Sequence, residues 1–223
     1  DHVITTLHAM LVTHAMLVTG KERPRNLEKA AESLGALGPS AYPALLDSLN
    51  RIKAPSLRAQ ILQSLAQSDP ARAVGPLAEV LADVKQEPTS VRIAAADALG
   101  RAGTYGHDTL AKALGSETDL QVRQQLITAI GKSKATVAAP QLGKLLVSGT
   151  DPETRDLILN ALVEIGGAEA LRVLRDVSGQ VTDPTLLQRV RESINRLETP
   201  PAAAPVPNPQ ARKVSGAISV ATD

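Results

Sequence analysis

This chain has no cysteine, no phenylalanine and no tryptophan. Without cysteine it can form no disulfide, thiolate metal site or cysteine nucleophile. Its aromatic residues are Tyr42 and Tyr105, which disfavours base-stacking platforms, aromatic cages and large aromatic hot spots. A core must be assembled from Leu, Ile, Val and Ala, which suits helices that approach closely. Charge of one sign is also missing, since 24 Lys and Arg stand against 23 Asp and Glu. A chain built to coat nucleic acid would carry a strong basic excess, so no nucleic-acid partner is expected. Strand-like alternation is essentially missing before residue 200. Gly-rich phosphate loops, nucleophile elbows and His-Glu-x-x-His patterns are absent too, so no catalytic residue, cofactor or metal site is expected.

What the chain does have is a recurring phrase, an apolar residue and Arg followed seven residues later by Leu or Ile, often before Gly. It reads Leu57-Arg58 to Leu65, Val91-Arg92 to Leu99-Gly100, Val122-Arg123 to Ile130-Gly131, and Thr154-Arg155 to Leu162. Fainter copies end at Leu34-Gly35 and at Ile194. The anchors Leu34, Leu65, Leu99, Ile130, Leu162 and Ile194 are 31, 34, 31, 32 and 32 residues apart. A period of this size signals stacked repeats.

Helical spacing predicts two alternating kinds of helix over residues 21–198. The phrase lies on about 26–37, 56–67, 89–101, 120–132, 153–165 and 185–197, and the partners on about 40–50, 71–83, 106–115, 136–148 and 168–177. Asp151-Pro152 and Asp183-Pro184 set an N-capping carboxylate before a proline suited to the first turn. Glu87-Pro88 and Ala54-Pro55 are looser starts. Gly35, Gly38, Gly100, Gly103, Gly131, Gly166 and Gly167 read as helix stops.

The two ends differ from the repeats. Residues 1–20 contain no Lys, Arg or Glu, and Val3, Leu7, Met10, Leu11, Leu17 and Val18 are expected on one helical face. Four Thr and two interior His make this a poor membrane span; a helix that caps the stack or docks on a partner, including a membrane protein, is expected. His-Ala-Met-Leu-Val-Thr occurs at both 8–13 and 14–19, and six residues is not a helical repeat, so the copies face different ways. Residues 199–223 form a Pro/Ala-rich linker and tail, with Pro200, Pro201, Pro205, Pro207 and Pro209 favouring an extended course. The tail reads as disordered or as a docking peptide.

The run from Ser90 through Val91-Arg92 to Leu99-Gly100 and Gly103 resembles the HEAT-like repeats of bacterial proteins first described in phycobilisome lyases. Gln121 to Gly131 and Asp151 to Gly166 are similar. The resemblance spans about residues 25–198. It implies an all-α solenoid of helical hairpins, about five and a half repeats with a period of about 32. It also implies that Arg58, Arg92, Arg123 and Arg155 form a structural ladder, meeting acidic groups near the inter-repeat turns. Asp119 and Asp151 lie four residues before Arg123 and Arg155, and Glu87 five before Arg92, so exposed pairs of that kind are expected.

In HEAT-like stacks the second helices line the concave face, and positions two, five and nine after each Arg should project from it. These include Gln60, Gln63 and Gln67, then Asp97 and Arg101, then Gln125, Thr128 and Lys132, then Asn160 and Glu164. The surface is mixed, rich in neutral amides and without a Lys/Arg stripe. The expected role is a non-enzymatic scaffold or accessory subunit that binds protein partners in a larger complex. A chromophore lyase-like subunit and a nucleic-acid-binding HEAT-like protein are the alternatives. Tyr105, His107 and Asp108 read as an exposed turn, and Asp97 and Asp156 as carboxylates that could approach one another. Composition resembles that of a high-GC bacterium, and the start at Asp1 leans toward an exported, trimmed protein.

Overall fold

The computed structural model describes residues 2–17 and 25–199. The end of the second hexapeptide copy and the segment from Pro200 onward, where a linker and docking tail are expected, lie outside the described residues. Among those described are twelve α-helices and no strand. They are α1 (His2–Leu17), α2 (Arg25–Ala36), α3 (Tyr42–Arg51), α4 (Pro55–Ser68), α5 (Pro70–Ala82) and α6 (Thr89–Arg101). There follow α7 (His107–Ser116), α8 (Leu120–Ser133), α9 (Ala139–Val147), α10 (Pro152–Ile165), α11 (Gly167–Ser178) and α12 (Pro184–Glu198). The even-numbered helices from α2 to α12 carry the phrase and form one layer, here called B. The odd-numbered ones from α3 to α11 form layer A.

Local chemistry starts these helices where the sequence predicts. The Asp151 carboxylate accepts from the Thr154 N–H at 2.9 Å, and that of Asp183 from the Thr185 N–H at 2.9 Å, each before a proline. Asp69 caps α5 in the same way, accepting from the Arg72 N–H at 3.1 Å ahead of Pro70. Each carboxylate satisfies an N–H that the first helical turn leaves orphaned. Glu87 caps nothing, because its side chain is taken by Arg58.

The anchors Leu34, Leu65, Leu99, Ile130 and Leu162 are fully buried between the layers. From α2 to α10 neighbouring B helices pack closely, whereas α5 with α7 and α7 with α9 touch only lightly; in the last repeat the order reverses, α10 meeting α12 less closely than α9 meets α11. From α2 to α10 the stack therefore bends with layer B on its inner side.

The close B packing corrects the reading of three glycines. Gly35, Gly100 and Gly131 do not stop helices; they lie inside α2, α6 and α8. Each faces a small residue of the next B helix. A Cβ on Gly35 would stand 3.0 Å from the Ser64 Cα, one on Gly100 would stand 3.1 Å from the Ala129 Cβ, and one on Gly131 would stand 2.8 Å from the Ala161 Cα. The residue before each following anchor is small throughout: Ser64, Ala98, Ala129, Ala161 and Ser193, all buried. Because equivalent residues meet, the B helices run parallel. The turn glycines behave as expected: Gly103, for example, has φ +62°, a conformation that a side chain would strain.

Both ends of the stack are closed. At the first end α1 packs on α2 and α3, burying Leu11 and Val12 with Ile4, Leu7, Met10 and Ala15 partly covered. Val3, expected on the buried face, is 58% exposed; the face follows Ile4, Leu7, Leu11 and Ala15, the alternation of three and four that a helix requires. At the other end, α12 shows polar Gln188, Arg191 and Asn195 where α8 places Gln124, Ile127 and Gly131 against its neighbour. A polar outer face is what a terminal helix of a solenoid needs. Among the described residues no helix is long and apolar enough to cross a membrane.

Candidate partner-binding face

The Arg ladder stands at the edge of layer B and holds the layers in register. Arg58 donates to the carbonyls of Leu49 at 2.5 Å and Ile52 at 2.9 Å, closing the end of α3. Its guanidinium then pairs with Glu87 of the following repeat, Nε to Oε2 at 3.1 Å. Arg92 does the same, donating to the Leu81 carbonyl at 2.8 Å and pairing with Glu117. Arg123 donates to the Glu117 carbonyl at 2.8 Å from Nη2. Arg155 reaches Asp183 of the next repeat at 3.2 Å.

Two expectations about the ladder are corrected. Glu87, Glu117 and Asp183 pair with the Arg of the preceding repeat, Arg58, Arg92 and Arg155 in turn, not with the Arg that follows them in sequence, and Arg123 has no carboxylate partner among the described residues. Asp119 and Asp151 are occupied by the N–H groups of their own helices, leaving each Arg free to reach across the A–B turn. Nor are the pairs all exposed: Arg92 and Glu117 are 3% and 5% exposed, against 28% and 45% for Arg155 and Asp183.

The face itself is the free side of layer B. Gln60, Gln63, Gln125 and Thr128 are half-buried along it, and Gln67, Arg101, Lys132, Asn160 and Glu164 are exposed. Asp97 pairs with Arg101 at 2.9 Å, and the Thr128 hydroxyl donates to the Gln124 carbonyl at 3.0 Å. Gln124 is itself spent on the Thr154 hydroxyl at 3.3 Å. Gln60, Gln63 and Gln125 make no side-chain hydrogen bond among the described residues, nor does Asn160. The face thus presents neutral amides with both donors and acceptors unused.

The face extends further than the Arg phrase marks it. Leu27 and Leu187 hold the Arg position in the fainter repeats, so Lys29 and Glu32 of α2, with Arg189 and Glu192 of α12, continue the same rows. The anchor spacing alone could have located them. Asp97 and Asp156 are not brought together: they belong to α6 and α10, with α8 packed between, and Asp156 pairs with Arg189 of α12.

Grooves lie on the A side, one of about 510 Å³ between α5 and α7 beside Val84, and one of about 390 Å³ between α9 and α11 beside Val147. A smaller one of about 250 Å³ lies between the B helices α10 and α12, lined by Arg155, Asp156 and Arg189. Tyr105, His107 and Asp108 line none of these; the His107 Nε2 meets the Ser133 carbonyl at 2.9 Å and closes the end of α8. Among the described residues no three His, Cys, Asp or Glu converge as metal ligands would.

Residues 107–195 match the family model for HEAT repeats. The match spans α7 to α12, and the same two-layer hairpin stacking runs on through the helices before it, so the chain is an all-α solenoid of HEAT-like hairpins. Among solved structures, human deoxyhypusine hydroxylase in complex with glycerol aligns over 88% of each chain, with 20% identity and a TM-score of 0.46. A computationally designed self-assembling cyclic homooligomer aligns over 87% of this chain and 68% of its own, with 15% identity and a TM-score of 0.21. No curated protein sequence matches.

Proposed function

We propose that this protein is a non-enzymatic scaffold, an accessory subunit that holds a polypeptide along the free face of its B helices. The observation that carries this reading is the set of unpaired amides Gln60, Gln63 and Gln125 on α4 and α8, with Asn160 on α10. The three Gln amides, held half-buried by rigid helices, can bind a main chain with little further ordering, which lowers the entropy cost of association. Nucleic acid would want a stripe of cations; here Arg101 is tied to Asp97, Arg189 to Asp156, and Glu164 interrupts the row of Arg101 and Lys132. A lyase-like role would want a tetrapyrrole pocket; the groove on layer B, between α10 and α12, holds only about 250 Å³ and has no aromatic lining. The N-terminal helix and the proline-rich tail serve this reading as the segments through which the subunit joins neighbouring chains. The Ser90–Gly103 run supports a bacterial, phycobilisome-lyase-type subclass.

The test is affinity capture from a bacterial lysate with the intact chain and with a Gln60→Ala, Gln63→Ala, Gln125→Ala variant of equal melting temperature. A partner held by the first and lost by the second supports the reading. Identical retention by both rejects the face.

A further inference from the structure

The repeat is interrupted at the turn between α5 and α6. Residues 83–88 make that connection, where residues 52–54 suffice between α3 and α4. The extra length accounts for the longest anchor spacing, 34 residues from Leu65 to Leu99. In the short turn Ile52, three residues after Leu49, folds into the core and is 3% exposed. Its counterpart Val84, three residues after Leu81, is 63% exposed. With Val84 outside, a groove of about 510 Å³ stands open between α5 and α7, a volume in the range of small-molecule sites.

The same change leaves a buried cation incompletely paired. Arg58 spends its Nη1 on the carbonyls of Leu49 and Ile52. Arg92 reaches the Leu81 carbonyl from Nε and Glu117 from Nη2, and does not reach Val84. Its Nη1 makes no hydrogen bond among the described residues and is not sealed in the interior. Arg92 is 3% exposed and lines the groove, so that nitrogen opens there.

A second cation lines the groove. Lys112 is exposed on α7, and its ammonium has no ion pair or hydrogen bond among the described residues. Glu117 is the one carboxylate in the lining, and it is already occupied. Arg92 holds its Oε2, and the N–H groups of Thr118 and Asp119 each donate to its Oε1 at 2.9 Å. The lining therefore carries one positive charge in excess.

The two walls differ. Ala78, Leu81, Ala82 and Val84 make the wall on the α5 side apolar, while Thr109, Lys112 and Ser116 put polar groups on the α7 side. Helix backbone spends its N–H and C=O groups within itself, so a polypeptide laid here would leave its own main-chain groups unmatched, at a cost. An aliphatic chain strands nothing.

We propose that the groove between α5 and α7 binds a small aliphatic carboxylate. The carboxylate accepts from Arg92 Nη1 and meets the Lys112 ammonium, which a flexible stem brings over the head group. The aliphatic chain lies along Ala78, Leu81, Ala82 and Val84. This site stands on the layer opposite the amide face and does not depend on the reading of that face.

The test is a titration of the full chain with octanoate, followed by amide nuclear magnetic resonance. Saturable shifts are expected at Ala78, Val84 and Ala113. Octanol, the same chain without the charge, should bind about tenfold more weakly, because hydrogen bonds to charged groups contribute more than neutral ones. This comparison uses the unaltered protein, so a misfolded variant cannot mask it. Lys112→Ala should weaken octanoate several-fold and leave octanol unchanged. Ala82→Phe, at an exposed position, should fill the groove and abolish both. Equal affinity for octanoate and octanol overturns the proposal, as do shifts that do not saturate or that Ala82→Phe leaves in place. Tighter binding of N-acetyl-Leu-Val, with its free carboxylate, than of octanoate would assign the groove to polypeptide ends and overturn it equally.

Discussion

Gly131 on α8 lies directly against Ala161 on α10, so close that a Cβ on the glycine would stand 2.8 Å from the Ala161 Cα and 3.0 Å from its Cβ. The contact is with backbone, which has little room to give. Gly75, inside α5, has open space where its Cβ would be. Gly131→Ala should therefore lower stability by about 1–3 kcal/mol through overpacking. Gly75→Ala should raise it by about 0.5–1 kcal/mol, the ordinary gain of alanine over glycine in a helix. Thermal or urea unfolding of the two variants checks both signs; a stabilised Gly131→Ala would mean the B helices are free to separate.

The buried and exposed rungs of the Arg ladder should respond differently. Glu117→Ala leaves the Arg92 guanidinium buried without its partner, and stranding a buried charge costs about 3–5 kcal/mol. Asp183→Asn breaks the exposed rung to Arg155 but keeps a capping side chain on α12, and an exposed pair is worth about 0–1 kcal/mol. Urea midpoints of the two variants should differ accordingly. Equal losses would show that burial does not separate the rungs.

Helix boundaries were legible because two independent signals coincide at them. Leu periodicity marks each B helix, and an Asp-Pro or Asp-x start marks several of the same helices. The glycines were misread because a stop and a close approach both follow the anchor in the same register. What separates them is the small residue before the next anchor, about thirty positions on, a pairing that only stacking makes meaningful. The partners of Arg123 and Arg155 were misread for a similar reason: nearness in sequence pointed to Asp119 and Asp151, which their own helices had already claimed, and for Arg92 it pointed to Glu87, which Arg58 takes. The amide face was legible from helical spacing, since side chains at positions two, five and nine share one side. Which of those amides stay unpaired depends on contacts such as Gln124 with Thr154, made between repeats.

Leu99 is fully buried between the layers. Leu99→Ala should cost about 2–5 kcal/mol, from lost transfer energy and the cavity left behind. In a repeat array this loss need not spread evenly, because each repeat contacts only its neighbours. Hydrogen exchange should show protection falling first in α6, α7 and α8. A thermal melt identical to the parent's would contradict the core assignment.

Acid should weaken the array at its caps. The Asp119 carboxyl sits below its ordinary value, chiefly because it accepts from the Val122 N–H, with the Thr89 hydroxyl, the Gln121 N–H and Arg92 adding to this. Asp47 is lowered by Arg51 first and by His8 as well. A folded value below the unfolded one adds stability that is complete above the unfolded pKa, near about 4. It is lost as pH falls through the folded pKa. The melting temperature should hold from neutral pH to about 5 and then decline. Asp119→Asn keeps a capping side chain without its titration, so it should make that decline shallower. A decline of the same slope would assign acid sensitivity to other carboxylates.

Lys134 marks a turn where the repeat departs from the glycine rule while keeping the left-handed conformation, unlike the turn after α4, which passes through Asp69 at φ −150°. It holds φ 56° and ψ 44° at the end of α8, where the equivalent turns after α2, α6 and α10 use Gly38, Gly103 and Gly166, all at positive φ. A residue with a Cβ is strained there by about 1–2 kcal/mol, while glycine adds about 0.5–1 kcal/mol of unfolded-chain entropy to be lost on folding. The difference favours glycine, so Lys134→Gly should raise stability by up to about 1 kcal/mol and increase exchange protection at the α8–α9 turn. The Lys134 N–H donates to the Gly131 carbonyl at 2.9 Å and that of Ala135 to the Ile130 carbonyl at 3.0 Å; both bonds survive the change. A loss of stability would therefore mean that the Lys134 side chain itself holds the turn.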